Sequence, residues 1–103
     1  MVDGLCNAVW DDGSGQVWWQ NQMELFRSET SALLLHSDGA SHGNPGAGAS
    51  AAVLSACLHS QWQVIAYCLR LVGPVTSVMA EMEGMCIGLD LLHAFLEGIL
   101  VVD

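Results

Sequence analysis

Three carboxylates in this chain stand where they could act together: Asp38, Glu81 and Asp103. Asp38 follows the apolar run Leu33-Leu34-Leu35-His36-Ser37, and Asp103 closes a second run, Ile99-Leu100-Val101-Val102. Glu81 sits between them, in the first turns of a helical pattern. Acids gathered in one place repel one another unless a cation lies between them. The chain has no Lys and only Arg27 and Arg70 to offer. A divalent metal is then the natural counter-charge, and a donor set made only of oxygen suits Mg²⁺, with Mn²⁺ as a substitute. Two plainer readings stand beside this one. Asp before Gly, as in Asp38-Gly39, is ordinary turn chemistry, and a chain with eleven acids can bring three to one edge by chance.

The elements that must position this trio follow from periodicity and punctuation. Residues 32–38 and about 49–57 read as strands joined through the turn Gly43-Asn44-Pro45-Gly46, and Gln61 to Leu71 reads as a third strand. The third run is apolar on both faces from Val64 onward, as expected of a strand covered on both sides. Val72-Gly73-Pro74-Val75 breaks this meander, and Thr76 or Ser77 offers an N-cap for a helix to about Leu96. Val78, Met82, Met85, Cys86, Leu89, Leu92, His93 and Leu96 recur at three-four spacing, which predicts the core-facing stripe, with His93 partly buried and hydrogen-bonded. Glu83, Asp90 and Glu97 recur every seven residues as a solvated edge. Glu81 lies about 160–200° round the helix from that row at 100° per residue. A strand over 99–102 that follows a crossover helix should lie parallel to the first strand. Parallel neighbours about 4.8 Å apart would carry Asp38 and Asp103 to one ion. The expected fold class is α/β: three antiparallel strands, a helix, then a fourth strand parallel to the first.

Composition narrows the function. The chain has 103 residues and a formal charge of −9, enough for one domain. It lacks the Lys and Arg that usually displace counterions from phosphates, so a phosphate ligand would need bridging metal. Cys6, Cys57, Cys68 and Cys86 form no C-x-x-C pair, which argues against zinc and for ordinary buried thiols in the apolar segments. No basic-then-apolar leader opens the sequence, and no apolar run approaches the roughly 18 residues of a membrane span. An intracellular protein, not secreted and without membrane contact, is expected. Residues 1–32 read as an extension of unknown role: a turn at Asp11–Gly15, a short strand at Gln16–Trp19 and a weak helix over Gln22–Ser31. Trp10, Trp18 and Trp19 have no neighbouring cations, so packing is expected of them rather than base stacking.

Residues 33–103 resemble the ribonuclease H type 1 family. Ser37-Asp38-Gly39-Ala40-Ser41-His42-Gly43-Asn44-Pro45-Gly46 looks like the family's first-strand motif, and Thr76-Ser77-Val78-Met79-Ala80-Glu81, with Gly84 and Gly88-Leu89 beyond, like its helix motif. Ile99 to Asp103 looks like its fourth strand. The resemblance implies an RNA–DNA hybrid endoribonuclease that hydrolyses the RNA strand with two Mg²⁺ ions. Asp38, Glu81 and Asp103 would be catalytic and hold the metals, with the Gly39 carbonyl nearby. Asn44 would contact the RNA strand and Thr76 a DNA phosphate, and the 2′-hydroxyl would be sensed in a minor groove.

The sequence also departs from the family. Its paired Asn after Thr76 is Ser77-Val78, and Ala49 and Ala51 replace a Gly-x-Gly, which predicts weaker groove contacts and a lost close backbone approach. The resemblance ends at Asp103, short of the family's later helices, fifth strand, fourth carboxylate, mobile His and basic handle. The expectation is therefore a partial ribonuclease H-like domain, incomplete at its C-terminus. Two readings follow: a hybrid nuclease, or an inactive copy kept as a structural or interaction module. A phosphate cradle over residues 43–48 is disfavoured, because the loop lacks Gly-Lys-Ser/Thr and leads into a strand. One helix on an open sheet leaves a bare apolar face, expected to be covered by a partner chain or by self-association.

Overall fold

A computed structural model of the chain describes residues 15–97. The elements are β1 (Gly15–Trp19), α1 (Met23–Glu29), β2 (Ala32–Gly43), β3 (Gly46–Leu58), β4 (Gln61–Val75) and α2 (Ser77–Glu97). The architecture is α/β: a four-stranded sheet in the order β1-β4-β3-β2, with two helices. Every pairing is antiparallel. The fourth strand of this sheet is thus β1, and the expected parallel strand over 99–102 lies outside the described residues.

β2, β3 and β4 form the predicted meander but run longer than expected. β2 and β3 stay in register from Ala32↔Cys57 to Gly43↔Gly46, leaving only Asn44-Pro45 as the loop. Small residues cause this extension: Gly39, Ala40, Ser41, Ala47 and Gly48 put no bulk in the way of the ladder. Asp38 therefore pairs with Ala51 well inside β2, and does not end the strand at the mouth of the hairpin. β4 likewise runs through Val72-Gly73-Pro74-Val75, where a break was expected. The register shift between Gly46↔Val75 and Gly48↔Val72 leaves Pro74 without a ladder hydrogen bond to donate.

The expected extension is built into the fold over residues 15–29. β1 pairs with residues 66–70 of β4. Met23 and Phe26 of α1 are buried in the same cluster as Leu54, Ile65, Ile87, Leu91 and Phe95. Arg27 donates from Nε to the Phe95 carbonyl at 3.0 Å, a cation at the C-terminal turn of α2. Trp19 packs against the core, and Trp18 stacks on Tyr67 with ring centroids 5.6 Å apart. Trp10 lies outside the described residues.

The helix shows the largest departure from expectation. α2 spans the predicted residues, but Ala80, Gly84, Ile87, Gly88, Leu91, Ala94 and Phe95 are its buried side chains. Most of the predicted core stripe is turned outward: Val78, Met82, Met85, Leu89 and Leu96 are exposed, as are Cys86 and His93, and only Leu92 packs, half-buried, against the core. Apolar residues lie on two sides of α2, so periodicity alone does not choose a face. Approach distance does. Where α2 is pressed onto β2, at Ala80 and Gly84, there is room for Gly and Ala, not for Met.

Candidate functional site

The site forms where α2 crosses β2. Gly39 faces the helix, and a Cβ there would lie 2.5 Å from the Glu81 nitrogen and press on the Ala80 carbonyl. Gly84 closes the same contact from the other side, since a Cβ on it would lie 2.7 Å from the Asp38 carbonyl oxygen. Real Cβ atoms do not tolerate backbone at such distances, so glycine is required at both positions. Between them, the fully buried Ser50 of β3 donates from Oγ to the Ala80 carbonyl at 2.7 Å. The Asp38–Gly39 and Ala80–Glu81 backbones are thereby held against each other. The close approach expected to be lost with Ala49 and Ala51 is kept by Gly39, Ser50 and Gly84.

Strand alternation places Asp38 on the sheet face turned from α2, together with Ala40, Ala49 and Ala51. These residues, with Gly39 and Ser50, line a shallow depression of about 180 Å³. The Asp38 carboxylate accepts a hydrogen bond from the Gly39 N–H at 2.8 Å through Oδ1, which leaves Oδ2 for another partner. Asp38 and Glu81 are both exposed. Their side chains start from touching backbone on either side of β2, the edge strand of the described sheet. Asp103 lies outside the described residues. Among the described residues, no three His, Cys, Asp or Glu side chains gather into a group that could hold a metal. Asp38 and Glu81 are of the hard-oxygen kind that Mg²⁺ takes, and as a pair they are an incomplete donor set.

Asn44 and Thr76, the predicted substrate contacts, are also brought together, at the N-terminus of α2. Thr76 is the N-cap, and its Oγ1 accepts the Met79 N–H at 3.1 Å. The Asn44 side chain reaches across from the β2–β3 loop, and its Oδ1 accepts the Ser77 N–H at 2.9 Å. Two of the helix's unpaired donors are satisfied this way.

Sequence reasoning missed two side chains here. Ser50 stood in an alanine-rich run that reads as strand filler, and the signal was a lone hydroxyl among small apolar residues. Glu83, expected on a solvated edge, is half-buried against β4, where Arg70 donates from Nη1 to its Oε2 at 2.7 Å. The other arginine, Arg27, bonds Glu24 at 2.7 Å, so both cations of the chain are engaged with the protein itself. His93, expected to be partly buried, is exposed 3.8 Å from Glu97. Cys68 is buried as expected, whereas Cys86 is exposed. No helix among the described residues is long and apolar enough to cross a membrane.

Comparison of the chain with protein-family models, with curated proteins and with solved structures gives no match.

Proposed function

We propose that the chain is a metal-dependent nuclease domain of the ribonuclease H type, acting on the RNA strand of an RNA–DNA hybrid. The observation that supports this is the packing of Asp38–Gly39 directly on Ala80–Glu81. The resemblance asks that the two segments bearing its first two carboxylates meet, and these lie 43 positions apart in sequence. In this reading the sheet continues past β2 with residues 99–102 as a parallel strand, and Asp103 joins Asp38 and Glu81. These three carboxylates and the Gly39 carbonyl would hold Mg²⁺ or Mn²⁺, which activates water and stabilises the leaving 3′ oxygen when bound. With Arg27 and Arg70 engaged elsewhere, the chain's own residues neutralise little phosphate charge, so hybrid binding should depend on the metal as well.

The test is cleavage of an end-labelled RNA–DNA hybrid by the 103-residue chain in Mg²⁺ or Mn²⁺, beside Asp38→Asn and Glu81→Gln. Cutting is expected only with metal and is expected to fall to background in both variants. A folded chain that leaves the hybrid intact under both metals would sink the nuclease reading. It would favour the second one, an inactive module. One observation already favours that alternative: the Asn44 and Thr76 side chains are spent on capping α2.

A further inference from the structure

The face of the sheet turned from both helices is apolar and uncovered among the described residues. Strand alternation puts Trp18, Leu34, Trp62, Val64, Tyr67 and Leu71 on it. All but Tyr67 are 40–61% exposed, and Trp18 stacks on the Tyr67 ring. Trp62 and Leu71 stand nine residues apart on β4, about 30 Å at 3.3 Å per residue. The strands together span about 14–19 Å, so the face covers roughly 500 Å² in plan. Upright side chains such as Trp62 and Leu71 raise its accessible surface above that figure. A standard interface takes about 600–1,000 Å² from each partner, and monomers rarely leave an apolar patch of this size in water.

Charge decides what can lie there. Of the seven acids among the described residues, Glu24 and Glu29 lie on α1, and Glu81, Glu83, Asp90 and Glu97 on α2. Both helices pack on the other side of the sheet, in one cluster with Leu54 and Ala52. Only Asp38 falls on the open face, on the edge strand β2, and no Lys or Arg does. An acidic ligand therefore meets no cation there, and a basic one meets a single carboxylate at the rim. What fits is another uncharged apolar sheet of the same twist, and a second copy of the chain carries one. Two sheets packed face to face lie about 10 Å apart, which keeps both helix layers and their six acids on the outside. Any contact made through the helices would set acid against acid, in a chain of net charge −9. We propose that two copies join their open faces in a four-layer dimer, helix, sheet, sheet, helix, with Tyr67 and Val64 near its centre and Asp38 at its rim. Trp18 and Trp62 are of the residue type that anchors such interfaces. The dimer needs neither metal nor hybrid, so it stands apart from the nuclease reading.

The experiment is sedimentation equilibrium of the 103-residue chain over a wide range of concentrations. The expected mass is twice 11.0 kDa at high concentration and falls to that of one chain on dilution. The double variant Leu34→Glu/Val64→Glu puts a like charge on both faces and should weaken the dimer at least a hundredfold. The variant Leu34→Thr/Val64→Thr keeps β-branched or strand-compatible residues and the wild-type charge, and should weaken it about tenfold. Far-UV circular dichroism of both should match the wild type, because Leu34 and Val64 are exposed. Met82→Glu/Leu89→Glu, on the outward side of α2, should leave the dimer intact. A wild-type chain that stays monomeric at every concentration would overturn the proposal and give the open face to some other occupant. A dimer that survives both sheet variants, or one that only the α2 variant disperses, would overturn it as well.

Discussion

The two sides of α2 carry similar apolar character and opposite fates. The sheet side is built from Ala80, Gly84, Ile87, Gly88, Leu91, Ala94 and Phe95, all buried. The solvent side is built from Val78, Met82, Met85, Leu89 and Leu96, all more than half exposed. Over the first two turns the difference between them is size, not hydrophobicity. Towards its N-terminus, where Asp38–Gly39 meets Ala80–Glu81, α2 rests on the sheet through glycine and alanine. Larger side chains enter only from Ile87 onward, where Phe95 and Leu91 join Phe26 of α1. Where its backbone lies against β2, α2 gives up bulky residues on the sheet side and carries them on the other.

The sharpest way to break the comparison is to put bulk where contact is closest. Gly84→Val would push a branched side chain onto the Asp38 and Ala51 carbonyl oxygens, which lie 2.7 and 3.3 Å from the position of a Cβ. Because these neighbours are backbone, they cannot rotate away. The expected loss is about 3 kcal/mol or more, seen as a collapse of the urea midpoint. Met85→Val, one residue on and exposed, should stay within about 0.5 kcal/mol of wild type. Equal midpoints for the two variants would mean that α2 does not lie on β2 as described.

The next effect tests the larger buried residues. Leu91 is fully buried and Leu89 is 57% exposed. Leu91→Ala should cost about 2–5 kcal/mol through lost burial and the cavity left behind. Leu89→Ala should cost no more than about 0.5 kcal/mol in the isolated chain. The spacing in the sequence predicts the reverse order, since it places Leu89 in the core, so this pair of denaturation curves decides between the two faces directly.

What the sequence made legible, and what it hid, follows the same physical line. The meander was readable because Leu33–Leu35, Val53–Leu54 and Val64–Ile65 are strand formers bounded by Gly, Pro and Asn. The span of α2 was readable because Thr76 is an N-cap residue and no Pro interrupts the apolar helical spacing after it. The facing of α2 was not, because the helix has apolar stripes of helical period on two sides, and the choice rests on a distance to β2 that no local pattern encodes. The reach of β2 past Asp38 was hidden for a related reason. Small residues give weak strand signals, and the pairing with residues 46–51 of β3 decides their conformation. At the site, the sequence singled out Asp38 and Glu81, whose backbones the structure brings together, but the glycines and the serine at that contact were legible only as turn formers and filler.

Ser50→Ala is the next smaller test. It removes the donor to the Ala80 carbonyl from a fully buried position, and the expected cost is about 1–3 kcal/mol. Ser50→Cys should recover part of it, because a thiol still offers a weak donor of similar size. If Ser50→Ala cost nothing, the hydroxyl would not be what fixes α2 at this crossing.

The smallest expected effect separates structure from substrate at the N-terminus of α2. Thr76 and Asn44 accept different N–H groups, those of Met79 and Ser77. Thr76→Ala should cost about 0.5–2 kcal/mol as a lost cap, and Asn44→Ala about 0.5–1.5 kcal/mol as a lost hydrogen bond. Because the two caps serve neighbouring donors of one helix turn, their losses need not add, and a double-mutant cycle measures how far they share the work. The reading as substrate contacts predicts the opposite pattern, with unchanged urea midpoints and weaker hybrid binding in each variant. Both effects together would mean that the helix terminus is held in place by the residues that also meet the nucleic acid, so that Asn44 and Thr76 exchange a backbone N–H for a phosphate or ribose when the hybrid arrives. That exchange has a signature of its own. Hybrid added in excess should raise the thermal midpoint of wild type, and should raise those of Asn44→Ala and Thr76→Ala by less, even after the difference in their starting stability is subtracted.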